Sequence, residues 1–182
     1  VQPIHGKGVR VIWLKGETDM LGALEEVESF AEFAKRNNAV ASTDVKSFEH
    51  LVCTEQLSRR LGFKVGEELI RVVRVRSLNG SARQVDHGYF LESIAKGLTP
   101  EVAEKSIYDY LEHKRGVKVM ASRRTVSVEL ANDEDCSYLD LGKYNCVAVM
   151  ESQSYTSDGI LFEVTHARTH PEIFHYRVNS KR

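Results

Sequence analysis

The sequence predicts an α+β domain: a mainly antiparallel sheet of about six strands with helices packed on one face. Three observations lead there. Several segments rich in β-branched residues alternate as strands do. Two pairs of them are joined by tight-turn residues, Asn79-Gly80 and the run Thr156-Ser157-Asp158-Gly159. Between the strands lie short stretches with helix-cap signatures rather than long crossover helices.

The elements follow in order. Val1 to Leu14 looks like the second half of a hairpin, with a turn at Gly6-Lys7-Gly8 and a short apolar strand from Val9 to Leu14. Lys15 to Asp19 is polar, contains Gly16 and reads as a linker. Leu21 to Arg36 carries Leu21, Leu24, Val27, Phe30, Ala31 and Ala34 at helical spacing, with glutamates opposite. A second helix can begin inside this stretch, with Ser29 as its N-cap. Val40 to Val52 should be a strand. Thr54 to Leu61 reads as a short helix capped by Thr54 and closed by Gly62.

Leu69 to Phe90 is the organising hairpin. On its first strand Ile70, Val72, Arg74 and Arg76 share one face. Two adjacent arginines on an otherwise apolar face call for an anion if that face turns inward, and the planar guanidinium suits phosphate or carboxylate. If the face lies at a sheet edge, they are merely solvated. A two-residue loop at Asn79-Gly80 sets Arg74 across from Val85; a longer loop through Ser81, or a bulge, sets Asp86 there instead. The longer loop is the expectation.

Thr99-Pro100 is an N-cap followed by an N1 proline. Ser106 caps the next helix, with Asp109 in the capping-box position, and Gly116 closes it. Ser106 thus stands at a helix start, where unpaired N–H groups favour anions, although most such residues only cap. Ala121 to Ala131 is a strand. Asn132 caps a short acidic helix from Asp133 to Leu141, ending at Gly142. Cys146 to Tyr155 and Ile160 to Arg168 form the final hairpin, and Phe174 to Val178 adds a short strand.

A net charge of -1 argues against a nucleic-acid-binding surface on this chain. Cys53, Cys136 and Cys146 are too far apart for a CxxC metal pattern, and free, mostly buried thiols in a reducing cytoplasm are expected. No apolar run is long enough to span a membrane and no signal peptide precedes the chain. A first residue of Val suggests a piece of a longer protein. His166, His170 and His175 with Glu163 match no compact metal pattern. No Ser-His-Asp set, P-loop or GxGxxG appears, so neither catalysis nor a cofactor is expected. Arg74, Arg76, Ser106 and Ser29 are the right types for an anion cradle. Asp86 and Glu163 suit sugar hydroxyls, and together the two groups suit a phosphorylated sugar.

The segments SFAEFAKRN at 29–37, RVRSLNG at 74–80, SIYDYL at 106–111 and YTSDGILFEVTHARTHPEIFHY at 155–176 carry a resemblance. They resemble the effector-binding (UTRA) domain of the GntR-superfamily transcription regulators, HutC branch. The closing motif, with Arg168, Pro171, Glu172 and Phe174, is most similar to the trehalose-operon repressors. The resemblance implies a chorismate lyase-like fold, so an enzyme of that fold is the natural competitor. It also implies a homodimer, a small-molecule effector (trehalose 6-phosphate first, with another amino-sugar or sugar phosphate, or a carboxylate, as the alternative), and operator DNA bound through an upstream winged helix-turn-helix domain. Residues 1–14 would be the remnant of that domain's wing, 15–19 the linker and 20–182 the effector domain. Arg74, Arg76, Ser106 and Tyr108 would grip the phosphate, joined by Ser29. Asp86, where Glu is usual, would read the sugar with Glu163, Arg168 and Tyr155.

Overall fold

The computed structural model describes residues 2–4, 8–10, 21–22 and 28–176. Its centre is a six-stranded antiparallel sheet. In chain order the strands are β1 (Gln2–Ile4), β2 (Gly8–Arg10), β3 (Leu21–Gly22), β4 (Ala41–Val52), β5 (Glu68–Leu78), β6 (Ser81–Leu91), β7 (Val119–Leu130), β8 (Cys146–Thr156), β9 (Leu161–Thr169) and β10 (His175–Tyr176). The helices are α1 (Phe30–Arg36), α2 (Glu55–Leu61), α3 (Pro100–Ala103), α4 (Ile107–Asp109, continued by a π turn over Tyr110–Lys114) and α5 (Asp133–Tyr138).

The order across the main sheet is β4-β5-β6-β9-β8-β7. From β6 the chain passes through α3 and α4 to the far edge and then returns inward, strand by strand, until β9 meets β6. That return brings segments distant in sequence onto one surface. The rung Arg74–Asp86–Ala167–Met150–Val126 crosses β5, β6, β9, β8 and β7.

Caps behave as local chemistry dictates. Thr54, Thr99, Ser106 and Asn132 each accept a backbone N–H three residues on. Gly62 closes α2 at φ +89, a conformation that a side chain would strain. Ser29 and Glu32 form a full capping box at α1. The continuous helix expected from Leu21 does not form. Leu21 and Gly22 pair in parallel with His175 and Tyr176, so strand pairing to the chain's far end overrides the helical spacing. β1 and β2 pair antiparallel, with Ile4 opposite Gly8, but Gly6 and Lys7 of the expected turn, the linker Lys15 to Asp19 and the stretch after Tyr176 lie outside the described residues.

Both faces of the sheet are covered, not one. The larger core gathers Leu61, Phe63, Ile70, Val72, Phe90, Ile107, Leu111 and Phe162. A smaller core of Val73, Val85, Leu139, Leu141, Val147 and Val149 lies beside α5. The cysteines are free, and Cys136 is exposed rather than buried. No described helix is long and apolar enough to cross a membrane.

Candidate functional site

The turn at Asn79-Gly80 is a two-residue loop, with both residues at positive φ (51 and 81) and Leu78 opposite Ser81. The longer loop is therefore not what forms. A bulge at Arg83 shifts the register between Ser77↔Ala82 and Arg76↔Gln84, and so sets Asp86 opposite Arg74. The juxtaposition expected of the longer loop is reached by the other route.

That shift builds a buried charge cluster. Arg74 Nη2 donates to Asp86 Oδ2 at 2.5 Å, and Arg76 Nη2 donates to the same oxygen at 2.8 Å. Arg74 is 3% exposed and Asp86 2%. Burial pushes the Asp86 carboxyl up, but the two guanidiniums outweigh it and hold it at about 2. Burial and the neighbouring Arg76 push the Arg74 guanidinium down from its ordinary value, against the pull of Asp86. Two cations share one carboxylate oxygen. Among the described residues the buried Nε donors of Arg74 and Arg76 have no hydrogen-bond partner. A buried donor without an acceptor is unfavourable, and both donors stand at the edge of a cavity.

These groups face a cavity of about 160 Å³. Its floor is one face of the sheet, including Ser152, Thr165 and Ala167, whose small side chains leave the space open. Ser29 and Phe30 at the start of α1, and Ser106 and Tyr108 at the start of α4, line its other sides. Phe30 lies beneath the Arg76 guanidinium, 5.1 Å from its ring centroid. Ser29 and Ser106 accept the N–H groups of Glu32 and Asp109 as caps, and each hydroxyl retains a proton to donate.

At the other end Tyr108 donates its hydroxyl proton to Glu163 Oε2 at 2.5 Å and lies 3.1 Å from Ser154 Oγ. Glu163 is 4% exposed, and burial raises its pKa despite the bond from Tyr108. Burial, then the Glu163 charge, pushes the Tyr108 phenol well above its ordinary value. Tyr108 is thus already engaged by Glu163.

Seven of the expected site residues, Arg74, Arg76, Asp86, Ser29, Ser106, Tyr108 and Glu163, line this cavity. Arg168 and Tyr155 do not. Arg168 projects from the opposite face of β9, where its Nε donates to both oxygens of Asp135 at 2.9 and 3.0 Å. Its Nη1 donates to Glu129, and its Nη2 to Asp135 and to the Leu130 carbonyl. Tyr155 bonds its own strand neighbour Gln153 at 3.4 Å. Both belong to the frame of the sheet and stand outside the cavity, contrary to the expectation that they reach a sugar in it. Lining residues that the sequence reading missed include Gln84, Lys105, Ser122, Arg124 and Thr169. The signal for Ser122 and Arg124 was their period-two spacing on β7; their membership needed the crossover that sets β7 at the far edge. His87, at 2.9 Å from Glu134, and His166, near Glu129 and Glu151, lie outside this cavity. No group of three or more His, Cys, Asp or Glu side chains placed to hold a metal ion occurs among the described residues.

The UTRA domain family model matches residues 36–175. The HTH-type transcriptional regulator TreR of Bacillus subtilis (strain 168) is 27% identical over 176 residues, covering 97% of this chain and 73% of that protein. The HTH-type transcriptional repressor NagR of the same organism is 22% identical over 91% of this chain and 66% of its own length. Among solved structures, the effector binding domain of the B. subtilis trehalose repressor superposes with a TM-score of 0.68 at 27% identity, over 78% of this chain and 98% of that one. The B. subtilis regulator YydK superposes with a TM-score of 0.80 over 99% of this chain and 75% of its own, at 22% identity, a likeness of fold. With the family match spanning most of the chain, and this sheet and cavity in place, the chain belongs to the UTRA family and is the effector-binding domain of a GntR-family transcriptional regulator.

Proposed function

We propose that the cavity senses a sugar phosphate, with trehalose 6-phosphate the first candidate, and that binding lowers the operator affinity of a homodimeric repressor. One observation carries the ligand class: the two buried, unpartnered Nε donors of Arg74 and Arg76, side by side at the cavity. A phosphate offers enough oxygens to satisfy both while Asp86 keeps its bonds. The Ser29 and Ser106 hydroxyls complete the phosphate end, with Tyr108 joining if it releases Glu163. Asp86 Oδ1 and the Glu163 carboxylate take sugar hydroxyls.

The likeness to a trehalose repressor's effector domain supports the trehalose candidate. Glu163 accepts equally well from an amide N–H, so amino-sugar phosphates belong in the same test. Coupling to DNA is assigned to α1, which is capped by Ser29 at the cavity and has Ala34 as its one buried residue. The upstream winged domain, the homodimer and residues 1–14 as a wing remnant form part of this reading, as does a cytoplasmic location.

The test is a thermal-shift panel pairing each sugar phosphate with its parent sugar. A ligand at 100 times its Kd stabilises the folded state by about 2.7 kcal/mol. The phosphorylated members should raise the melting temperature and their parent sugars should not. Equal shifts from both would remove the phosphate from the reading. In the full-length protein, Ser29→Ala should blunt effector-driven release from operator DNA more than it weakens effector binding.

A further inference from the structure

The cavity described above uses one face of the main sheet. The opposite face is covered only at its two ends. α2 closes one end, where Gln153 Nε2 donates to the Leu61 carbonyl at 3.4 Å. α5 closes the other, where Asp135 holds Arg168 and Glu134 lies 2.9 Å from His87 Nε2. Between them run two rungs, Tyr89–Val164–Gln153–Arg123 and His87–His166–Glu151–Thr125. A furrow of about 210 Å³ opens over them, with Arg60 from the last turn of α2 on its wall.

Several donors in this furrow have nothing to bond. Tyr89 is only 6% exposed, yet its hydroxyl makes no hydrogen bond among the described residues. A buried tyrosine hydroxyl ordinarily finds a partner. Arg60 and Arg123 make no hydrogen bond or ion pair with any described residue. His166 stands 3.8 Å from Glu151 and 3.9 Å from Glu129, beyond hydrogen-bond reach. Burial lowers its pKa from the ordinary 6.5, so the ring is neutral at neutral pH and carries one N–H to donate. Two guanidiniums therefore stand against the single carboxylate of Glu151.

We propose that this furrow is a second binding site, for an oxyanion carried by a small metabolite and gripped by Arg60 and Arg123, with the Tyr89 hydroxyl donating from the floor. Phosphate and carboxylate share the chemistry that the planar guanidinium fork recognises. Glu151 accepts from a hydroxyl or amine beside the anionic group and disfavours a bare polyanion. The furrow lies back to back with the cavity. The rung Gly88–Thr165–Ser152–Arg124 runs between the two open ones and turns its side chains the other way, so Ser152 and Thr165 border both compartments. The site does not depend on what the cavity binds.

NMR titration of the isotope-labelled chain with inorganic phosphate, and separately with acetate, tests it through the arginine Nε–H resonances, with ionic strength held constant by chloride. Arg60 and Arg123 should shift together along one saturating curve. Arg59, 3.9 Å from Glu55 and outside the furrow, should not shift. Arg123→Ala should weaken the binding read at Arg60 about tenfold, and Tyr89→Phe, which keeps the ring and removes the donor, about threefold. The melting curve of Arg123→Ala in chloride should match the parent's, because Arg123 is exposed. Saturation by phosphate alone assigns phosphate esters, and saturation by acetate assigns carboxylates. No saturation by either anion would overturn the site. So would shifts at Arg59 as large as those at Arg60, or a curve at Arg60 indifferent to both substitutions. Arg74 and Arg76 report the cavity in the same spectra, so a failure of either site is read apart from the other.

Discussion

Two buried arginine clusters sit on opposite faces of the same sheet, and they are finished to different degrees. Arg168 is saturated: Nε, Nη1 and Nη2 all donate, to Asp135, Glu129 and the Leu130 carbonyl. Its pKa is raised, chiefly by the bonds to Asp135. Arg74 and Arg76 share a single oxygen of Asp86, and burial lowers the pKa of Arg74. A folded chain satisfies its buried donors wherever structure is the only demand. The saturated cluster fastens α5 and β7 to the sheet, while the unsaturated one leaves two donors unfilled beside the cavity, where the proposed function sets the phosphate.

The largest expected effect falls on the saturated side. Arg168→Ala strands Asp135, which has no exposure, without its counter-charge. Urea unfolding should show a loss of about 3–5 kcal/mol, the range for breaking a buried pair. On the unsaturated side, Arg74→Ala should cost effector affinity by about 2–4 kcal/mol in calorimetry. Its fold should survive, because Arg76 still neutralises Asp86. Losing both arginines together removes that protection, and the double variant should fall in stability toward the Arg168→Ala level.

The acid limb sharpens the contrast next. Asp86 is held at about 2 against an ordinary 3.8. A depressed carboxylate adds stability above its unfolded pKa and loses it as pH falls through the folded one. The contribution is thus present above about pH 4 and lost toward pH 2, amounting to about 2 kcal/mol. Asp86→Asn should flatten this part of the stability curve. Glu163 has the opposite sign. Its raised pKa means that the ionised form is disfavoured by folding, so its contribution declines as pH rises past the ordinary carboxylate range. Glu163→Gln keeps an acceptor for Tyr108 and removes the buried charge. It should raise stability at neutral pH by up to about 1 kcal/mol while weakening effector binding.

Much of this fold is legible because it is local. Asn79-Gly80, Thr54 with Gly62, Thr99-Pro100 and the Asn132 cap act within four residues, and each forms as its chemistry dictates. The bulge at Arg83 is not legible, since nothing in Ala82-Arg83-Gln84 demands an extra residue; cross-strand pairing decides it. The pairing of Leu21 with His175 is equally non-local. For the site, parity was available and decisive. Glu163 and Arg168 stand an odd number apart on one regular strand, so they cannot face the same cavity. Applying period two to β9 separates Glu163 from Arg168, and applying it to β8 separates Ser152 from Tyr155. The covering by α1 and α4 depended on a crossover that no spacing within the chain records.

The central claim is that unfilled donors, not buried arginine as such, make the effector site. It is tested most directly by isothermal titration of trehalose 6-phosphate and of trehalose into the parent and into Arg74→Ala. The account predicts that the parent binds the phosphate ester far more tightly than the free sugar, and that Arg74→Ala abolishes most of this difference. A parent that binds both sugars alike, or an Arg74→Ala variant that keeps the full preference for the ester, would contradict it.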